Sequence, residues 1–221
     1  MVEGLLYGLC AEDVGPARNT NEAQQRRRGE LAEGLGLDWD RVAIAGAVHG
    51  ADVGSADEGQ GLVEGVDGLV TSRAGVGLFA VFADCCPIVL YDPRRRVLAL
   101  VHAGWRGTVA GVASNALSSL GQRYGTEPEG VVAILGPSIC GRCYEVGDEV
   151  AGQFPAEAVS QDTGRRSVDL VRANLHQLVA AGVSAERVVI DGRCTFETAE
   201  LPSHRRRADG RRFGVLAALE P

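Results

Sequence analysis

Two near-continuous apolar runs, VGLFAVFADC at residues 76–85 and RRVLALVH at 95–102, flank a DPRRR turn. Runs without polar alternation cannot border water on either face, so both read as central strands covered on two sides. A chain built round such strands must supply layers above and below them.

The flanking segments supply those layers. A helix is expected over about residues 20–34, ended by glycine, and a buried strand over 41–49 (RVAIAGAVH). GADVGSADEGQGLVEGVDG is glycine-rich and acidic and reads as loop. Small and apolar residues at helical spacing predict one helix over 107–122, and VVAILG predicts a strand over 131–136. A second amphipathic helix is expected over 167–181 with Ser167 as N-cap, followed by strands in ERVVIDG and RRFGVLAALE. Strands and helices mix without strict alternation. The expected fold is an α/β or α+β layered sandwich, with residues 1–221 as a single domain.

Composition removes several function classes. All 22 cationic residues are arginine, so Schiff-base chemistry, pyridoxal phosphate anchoring and a Walker A loop are excluded. The net charge of −7 argues against nucleic acid as a partner. No basic leader precedes the first apolar segment and no apolar run approaches membrane-spanning length, so no membrane partner and a cytoplasmic location are expected. Six cysteines in that setting read as reduced thiols.

Three side chains stand where apolar strands stop: His49, Cys85 and His102. Strand ends far apart in sequence can converge on one edge of a layered sheet. A thiolate with two neutral imidazoles suits zinc, and three ligands leave a fourth position open, as in catalytic sites. The alternative is that Cys85 and Cys86 are core thiols, with the two histidines hydrogen-bonded at loop starts. Four residues beyond His102, in HAGWRG, Arg106 opens the expected helix. A guanidinium there makes sense if an anion bridges it to the helix start; otherwise it pairs with a surface acid or stacks on Trp105.

The remaining candidates are weaker. Cys140-x-x-Cys143 has no second C-x-x-C to complete a zinc ribbon, so it reads as a turn with buried thiols. Cys10 and Cys194 read as packing residues, and His176 as lying on the polar face of its helix. His204, Arg205, Arg206 and Arg207 form a basic cluster that is either a solvated edge or a contact to a substrate anion. The histidines are followed by Gly-Ala and Ala-Gly, which excludes the H-x-E signature of nucleotide deaminases.

The motifs VHGADV, VDGLVTSRAGVGLFAVFADCCPIVLYD, VLALVHAGWRGT, GPSICGRCYEVGDEV, DGRCT and SHRR together resemble the purine nucleoside phosphorylase family formerly called multicopper polyphenol oxidases or laccase-domain proteins, which includes a peptidoglycan editing factor branch. The resemblance is strong over residues 43–150 and weaker over 187–207. It implies zinc held by His49, Cys85 and His102, and a four-layer α/β/β/α sandwich with mixed sheets, as in bacterial toxin cysteine hydrolases. It also implies phosphorolysis of adenosine, inosine, guanosine and methylthioadenosine, and deamination of adenosine. The chain departs from the family pattern at Ala47, where glutamine is usual, and at Arg142. Its four histidines are too few for a multi-copper cluster, so the laccase label fails on stoichiometry.

From this follow the expected roles. Cys85 and His102 belong to the catalytic centre, with Asp84 as proton shuttle or as a group orienting a ligand. Arg106 places phosphate, with Arg73 and Arg205 as further anion contacts. A nucleoside and phosphate are the expected partners, and a monomer the expected state. The rival readings are a metal-free cysteine hydrolase with Cys85 as nucleophile and His102 as base, a peptidoglycan-precursor editing enzyme, and a binding module.

Overall fold

The computed structural model describes residues 2–59, 61–162 and 164–221. In chain order the strands and α-helices are β1 (Leu5–Cys10), α1 (Glu22–Gly34), β2 (Val42–Gly46), β3 (Val53–Ser55), β4 (Gly61–Glu64), β5 (Gly68–Thr71), β6 (Gly77–Phe82), β7 (Cys86–Asp92) and β8 (Val97–Ala103). They continue as α2 (Trp105–Val109), α3 (Val112–Tyr124), β9 (Val132–Leu135), β10 (Glu145–Val146), α4 (Asp148–Ala151), β11 (Val159–Asp162), β12 (Arg165–Val168), α5 (Leu170–Ala180), β13 (Val188–Ile190) and β14 (Phe213–Leu219).

Two mixed sheets carry the architecture. One has the order β1-β14-β6-β2-β4 and the other β13-β9-β7-β8-β5-β3; a small antiparallel sheet, β10-β12-β11, lies apart. The apolar runs alternate between two cores. In β8, Val97, Ala99 and Val101 pack with α3 and α5, while Leu98 and Leu100 pack toward the other sheet. In β6, Leu78, Ala80 and Phe82 face that inter-sheet core, and Phe79 faces the layer under α1 with Ala32 and Trp39. Hence both strands are covered on two faces, as expected from their runs, and the layers run helix, sheet, sheet, helix, as the family resemblance implies.

Several local expectations change. The helix expected over 107–122 is two, α2 and α3, broken at Gly111, which takes a left-handed φ of 79°. Ser167 is not an N-cap: it lies in β12, and Asp169 caps α5 by accepting from the Arg172 N–H at 2.9 Å. The segment read as loop contains β3 and β4, which pair in parallel with β5 and β2. The N-terminal strand β1 and the β10–β12 sheet carried no recognised signal. No helix among the described residues is long and apolar enough to cross a membrane.

The topology leaves one edge for chemistry. The chain crosses from the first sheet to the second three times before β8, after β2, after β4 and after β6. All three meet the end of β8, the first carrying His49, the second Asp67 and the third Cys85.

Candidate active site

Each of the three ligand candidates comes from that junction. β7 pairs with β8 so that Pro87 stands opposite His102, which puts Cys85 beside the imidazole. His49 arrives on the crossover after β2. The ligand atoms of His49, Cys85 and His102 all lie within 4.8 Å of one another, and the His49 and His102 rings meet edge to face at 5.0 Å. Zinc–sulfur bonds of about 2.3 Å and zinc–nitrogen bonds of about 2.0–2.1 Å place tetrahedral ligands roughly 3.3–3.8 Å apart, so the cluster needs only small movements to close on an ion.

Asp67, for which the sequence reading had no role, organises this cluster. It is wholly buried just before β5, and its backbone oxygen accepts from the His102 N–H at 2.7 Å. Its carboxylate accepts from the backbone N–H groups of Val48, His49 and Gly50 at 3.0, 3.0 and 2.7 Å. It also lies 2.9 Å from His102 Nδ1. An ionised carboxylate only accepts, so Nδ1 carries the proton and Nε2 is the free ligand nitrogen. Burial pushes the Asp67 carboxyl up, but the bonds from His102, Gly50 and Val48 outweigh it and hold it below the usual range. One side chain thus fixes two of the three ligand candidates. Its sequence signal, an acid directly ahead of an apolar strand, looks the same as an ordinary turn.

The crossovers after β2 and β6 turn through left-handed backbone. His49 has φ 61° and Asp84 φ 86°, conformations that cost about 1–3 kcal/mol for non-glycine residues. Asp67 holds the first. The second is held through Asp84, whose carbonyl accepts from Ser138 Oγ and Ile139 N at 2.8 and 3.0 Å. The Asp84 carboxylate accepts from Thr195 Oγ1 at 2.6 Å and Arg205 N at 2.7 Å. Both of its oxygens are therefore engaged in positioning the turn that presents Cys85.

The glycines of HAGWRG have a steric cause. A Cβ on Gly104 would sit 2.9 Å from His49 Nδ1 and 3.0 Å from Cys85 Sγ; one on Gly107 would meet the Gly50 carbonyl at 2.7 Å. Position 104 is a cradle that a methyl group would fill, and its emptiness fits a metal held by these ligands. The donor set fits as well, being one thiolate and two imidazoles with a vacant coordination position.

Without a metal the same groups form an ion pair. Burial pushes the Cys85 thiol up, but the His102 charge and hydrogen bonds from both imidazoles bring it down to about 6. Burial pushes His102 down, but the thiolate and Asp67 raise it to about 10. Cys86, next in the chain, points into the core beneath α3 and α5, where burial holds it protonated.

These groups open into a pocket of about 550 Å³, within the span of small-molecule sites. Trp105, Ile139, Tyr144 and Leu170 supply apolar and aromatic surface, and Asp84 is the acidic residue among those lining it. Arg106, Arg205 and His204 line it too. Arg106 is exposed, with its guanidinium 4.2 Å from the Trp105 ring centroid. The helix there spans only Trp105–Val109, so the strong helix dipole expected at this turn is absent, and Arg106 stacks on Trp105, one of the two arrangements expected if no anion bridges it to the helix start. Arg205 lies over Tyr144 at 5.0 Å and donates to the Glu145 carbonyl.

Two sequence expectations fail. Arg73 lies beyond the opposite end of β5, in a separate hollow with Arg41, Asp57 and Glu58. It is not a contact of this pocket. Arg206 is neither solvated edge nor substrate contact, because its guanidinium donates to the carbonyls of Thr195, Phe196, Thr198, Ala199 and Leu201. His176 is exposed on α5, as expected.

Known proteins share this arrangement of chain. The family model described as multi-copper polyphenol oxidoreductase laccase matches residues 14–219. A purine nucleoside phosphorylase of Deinococcus radiodurans is 40% identical over 195 residues, covering 86% of this chain and 75% of that protein. Adenosine deaminase RL5, from an unknown prokaryotic organism, is 37% identical over 182 residues, covering 75% and 69%. The crystal structure of YlmD from Geobacillus stearothermophilus superposes with a TM-score of 0.89 at 31% identity, covering 99% of this chain and 93% of that one. The chain therefore belongs to the multi-copper polyphenol oxidoreductase laccase family.

Proposed function

We propose that this chain is a zinc-dependent purine nucleoside enzyme. It would catalyse phosphorolysis of adenosine, inosine, guanosine and methylthioadenosine, and deamination of adenosine. The observation that carries this reading is the convergence of His49, Cys85 and His102 on a pocket lined by aromatic surface and by Arg106, Arg205 and Arg212. The names of its relatives, purine nucleoside phosphorylase and adenosine deaminase, support it.

His49, Cys85 and His102 would hold the zinc, which when bound supplies a Lewis acid and lowers the pKa of water at its open position. The chain's own residues do the rest. Trp105 and Tyr144 offer ring faces to the purine. Arg106 and Arg205 bind phosphate in line with the ribose C1′, whose bond to the base nitrogen breaks as a phosphate oxygen bonds to it. In deamination, water adds at C6 and ammonia leaves. Asp84 is the lining carboxylate, and it would pass the proton through the lone pairs that its bonds to Thr195 and Arg205 leave open.

One observation favours a second reading. Cys85, His102 and Asp67 are ordered as a nucleophile, a base and an orienting acid, the constellation of a metal-free cysteine hydrolase. Purified protein supplied with adenosine and phosphate distinguishes the two. The zinc reading expects ribose 1-phosphate with adenine, or inosine with ammonia, and loss of both with chelator or His102→Ala. Equal turnover by zinc-free protein, abolished by a thiol alkylator, would overturn it in favour of the hydrolase.

A further inference from the structure

A second cluster lies outside the pocket. Cys140, Cys143, Cys194 and Glu197 bring three thiols and a carboxylate together, with ligand atoms all within 4.8 Å of one another. Cys140 and Cys143, expected as buried thiols in a turn, are half-buried, and Cys194, expected as a packing residue, is buried beside them; the fold joins all three.

The cluster is built from two turns of the same construction. In the first, the N–H groups of Cys143 and Tyr144 both donate to the Cys140 carbonyl at 3.0 Å. In the second, those of Glu197 and Thr198 donate to the Cys194 carbonyl at 3.2 and 2.8 Å. Each turn offers ligands three residues apart, the spacing of one half of a zinc knuckle. A parallel bridge between Ser138 and Cys194 sets them side by side, with Thr195 N donating to Ser138 O at 3.1 Å. The second turn is C-x-x-E, so a search for paired C-x-x-C motifs passes over it.

Charge and hydrogen bonding agree with a cation there. The Cys140 N–H donates to Cys194 Sγ at 3.3 Å, a contact that favours a thiolate. Cys143 Sγ lies 3.5 Å from Glu197 Oε1, so these groups already share a proton that a metal would displace. Three thiolates and a carboxylate would leave a net negative charge around a divalent ion. Arg142 lies against both Glu197 oxygens at 3.2 and 3.3 Å, and the Arg206 guanidinium sits behind the second turn on three of its carbonyls. All six cysteines are free thiols, so no disulfide competes in this structure.

We propose that Cys140, Cys143, Cys194 and Glu197 form a second, structural zinc site. Four protein ligands close the coordination sphere, so this ion takes no part in chemistry. It braces the pocket instead. Its loops carry Ile139 and Tyr144 of the pocket wall, and Ser138 and Thr195, which hold Asp84.

The test is zinc content per chain after saturation with zinc and gel filtration, in wild type, His102→Ala, Cys143→Ser and Glu197→Gln, each checked for folding by circular dichroism. Wild type is expected to hold about two zinc ions, and His102→Ala and Cys143→Ser about one each. Glu197→Gln, a change at an exposed side chain, is expected to weaken the second ion without touching the first. In metal-free His102→Ala, cobalt(II) is expected to give strong thiolate-to-metal charge-transfer absorption. The proposal is overturned if His102→Ala holds no zinc and gives no such band, or if reductant-free protein shows the mass and thiol count of a disulfide here. If wild type holds one ion that His102→Ala loses, this site fails and the pocket centre stands. If the one ion survives in His102→Ala and is lost in Cys143→Ser, the reverse holds.

Discussion

Gly104→Ala tests the geometry of the pocket centre directly. The added methyl would sit 2.9 Å from His49 Nδ1 and 3.0 Å from Cys85 Sγ. Comfortable contacts to carbon begin at about 3.5 Å, so the two ligands together must yield by roughly half an ångström or more. Metal–ligand distances hold to within about 0.2 Å, so the displacement exceeds what the site absorbs. Perturbations of comparable scale around bound metals cost about 10–100-fold in affinity. The backbone itself is indifferent: φ −77° and ψ 175° are extended values that alanine adopts freely. Gly→Ala at compatible positions otherwise stabilises by about 0.4–1 kcal/mol. The substitution should therefore separate two quantities, zinc affinity falling about 10–100-fold while the folded state keeps its stability. Competition against a chromophoric chelator reads the first, in a Cys143→Ser background so that only this centre reports. Thermal unfolding of the metal-free protein reads the second. Affinity within twofold of the parent protein would refute the placement of His49 and Cys85 against residue 104.

Three further outcomes are expected. Asp67→Asn should weaken zinc binding about 10–100-fold and cost about 1–3 kcal/mol, because the new amide presents donors to backbone N–H groups. Since the folded Asp67 carboxyl lies below its ordinary value, its stabilisation is present above the usual carboxylate range and lost as pH falls, so the variant's unfolding should respond less to acid. In metal-free protein, iodoacetamide alkylation of Cys85 should reach half its maximal rate near pH 6, since thiolate persists above its lowered pKa of about 6; His102→Ala should move that midpoint upward. Arg106→Ala should raise the KM for phosphate about tenfold or more, whereas Arg73→Ala should leave it unchanged, because Arg73 belongs to another hollow.

What could be seen in the sequence depended on whether its signal was local. The runs in β6 and β8 reveal their two covered faces because burial on both sides leaves no polar alternation. Cys85 and His102 stand out at the ends of those runs, and His49 at the end of the run that holds β2. The split at Gly111 is hidden because small residues continue at helical spacing across it. Strands β3 and β4 are short and glycine-rich, and exist only through pairing with distant partners. Asp67 and Glu197 are acids in turns, indistinguishable in sequence from solvated ones until tertiary neighbours bury or gather them.

The hold of Asp67 on both His102 and the 48–50 backbone has a consequence for how the protein meets its metal. A ligand cage assembled by an internal carboxylate does not wait for an ion to take shape. On the zinc reading, the polypeptide would lose and recover the pocket cation as a finished body, with little rearrangement charged against each exchange. Occupancy of the pocket would then follow the free metal supply and the competing chelators around it, a rheostat set by the surroundings, in contrast to the bracing role proposed for the second site.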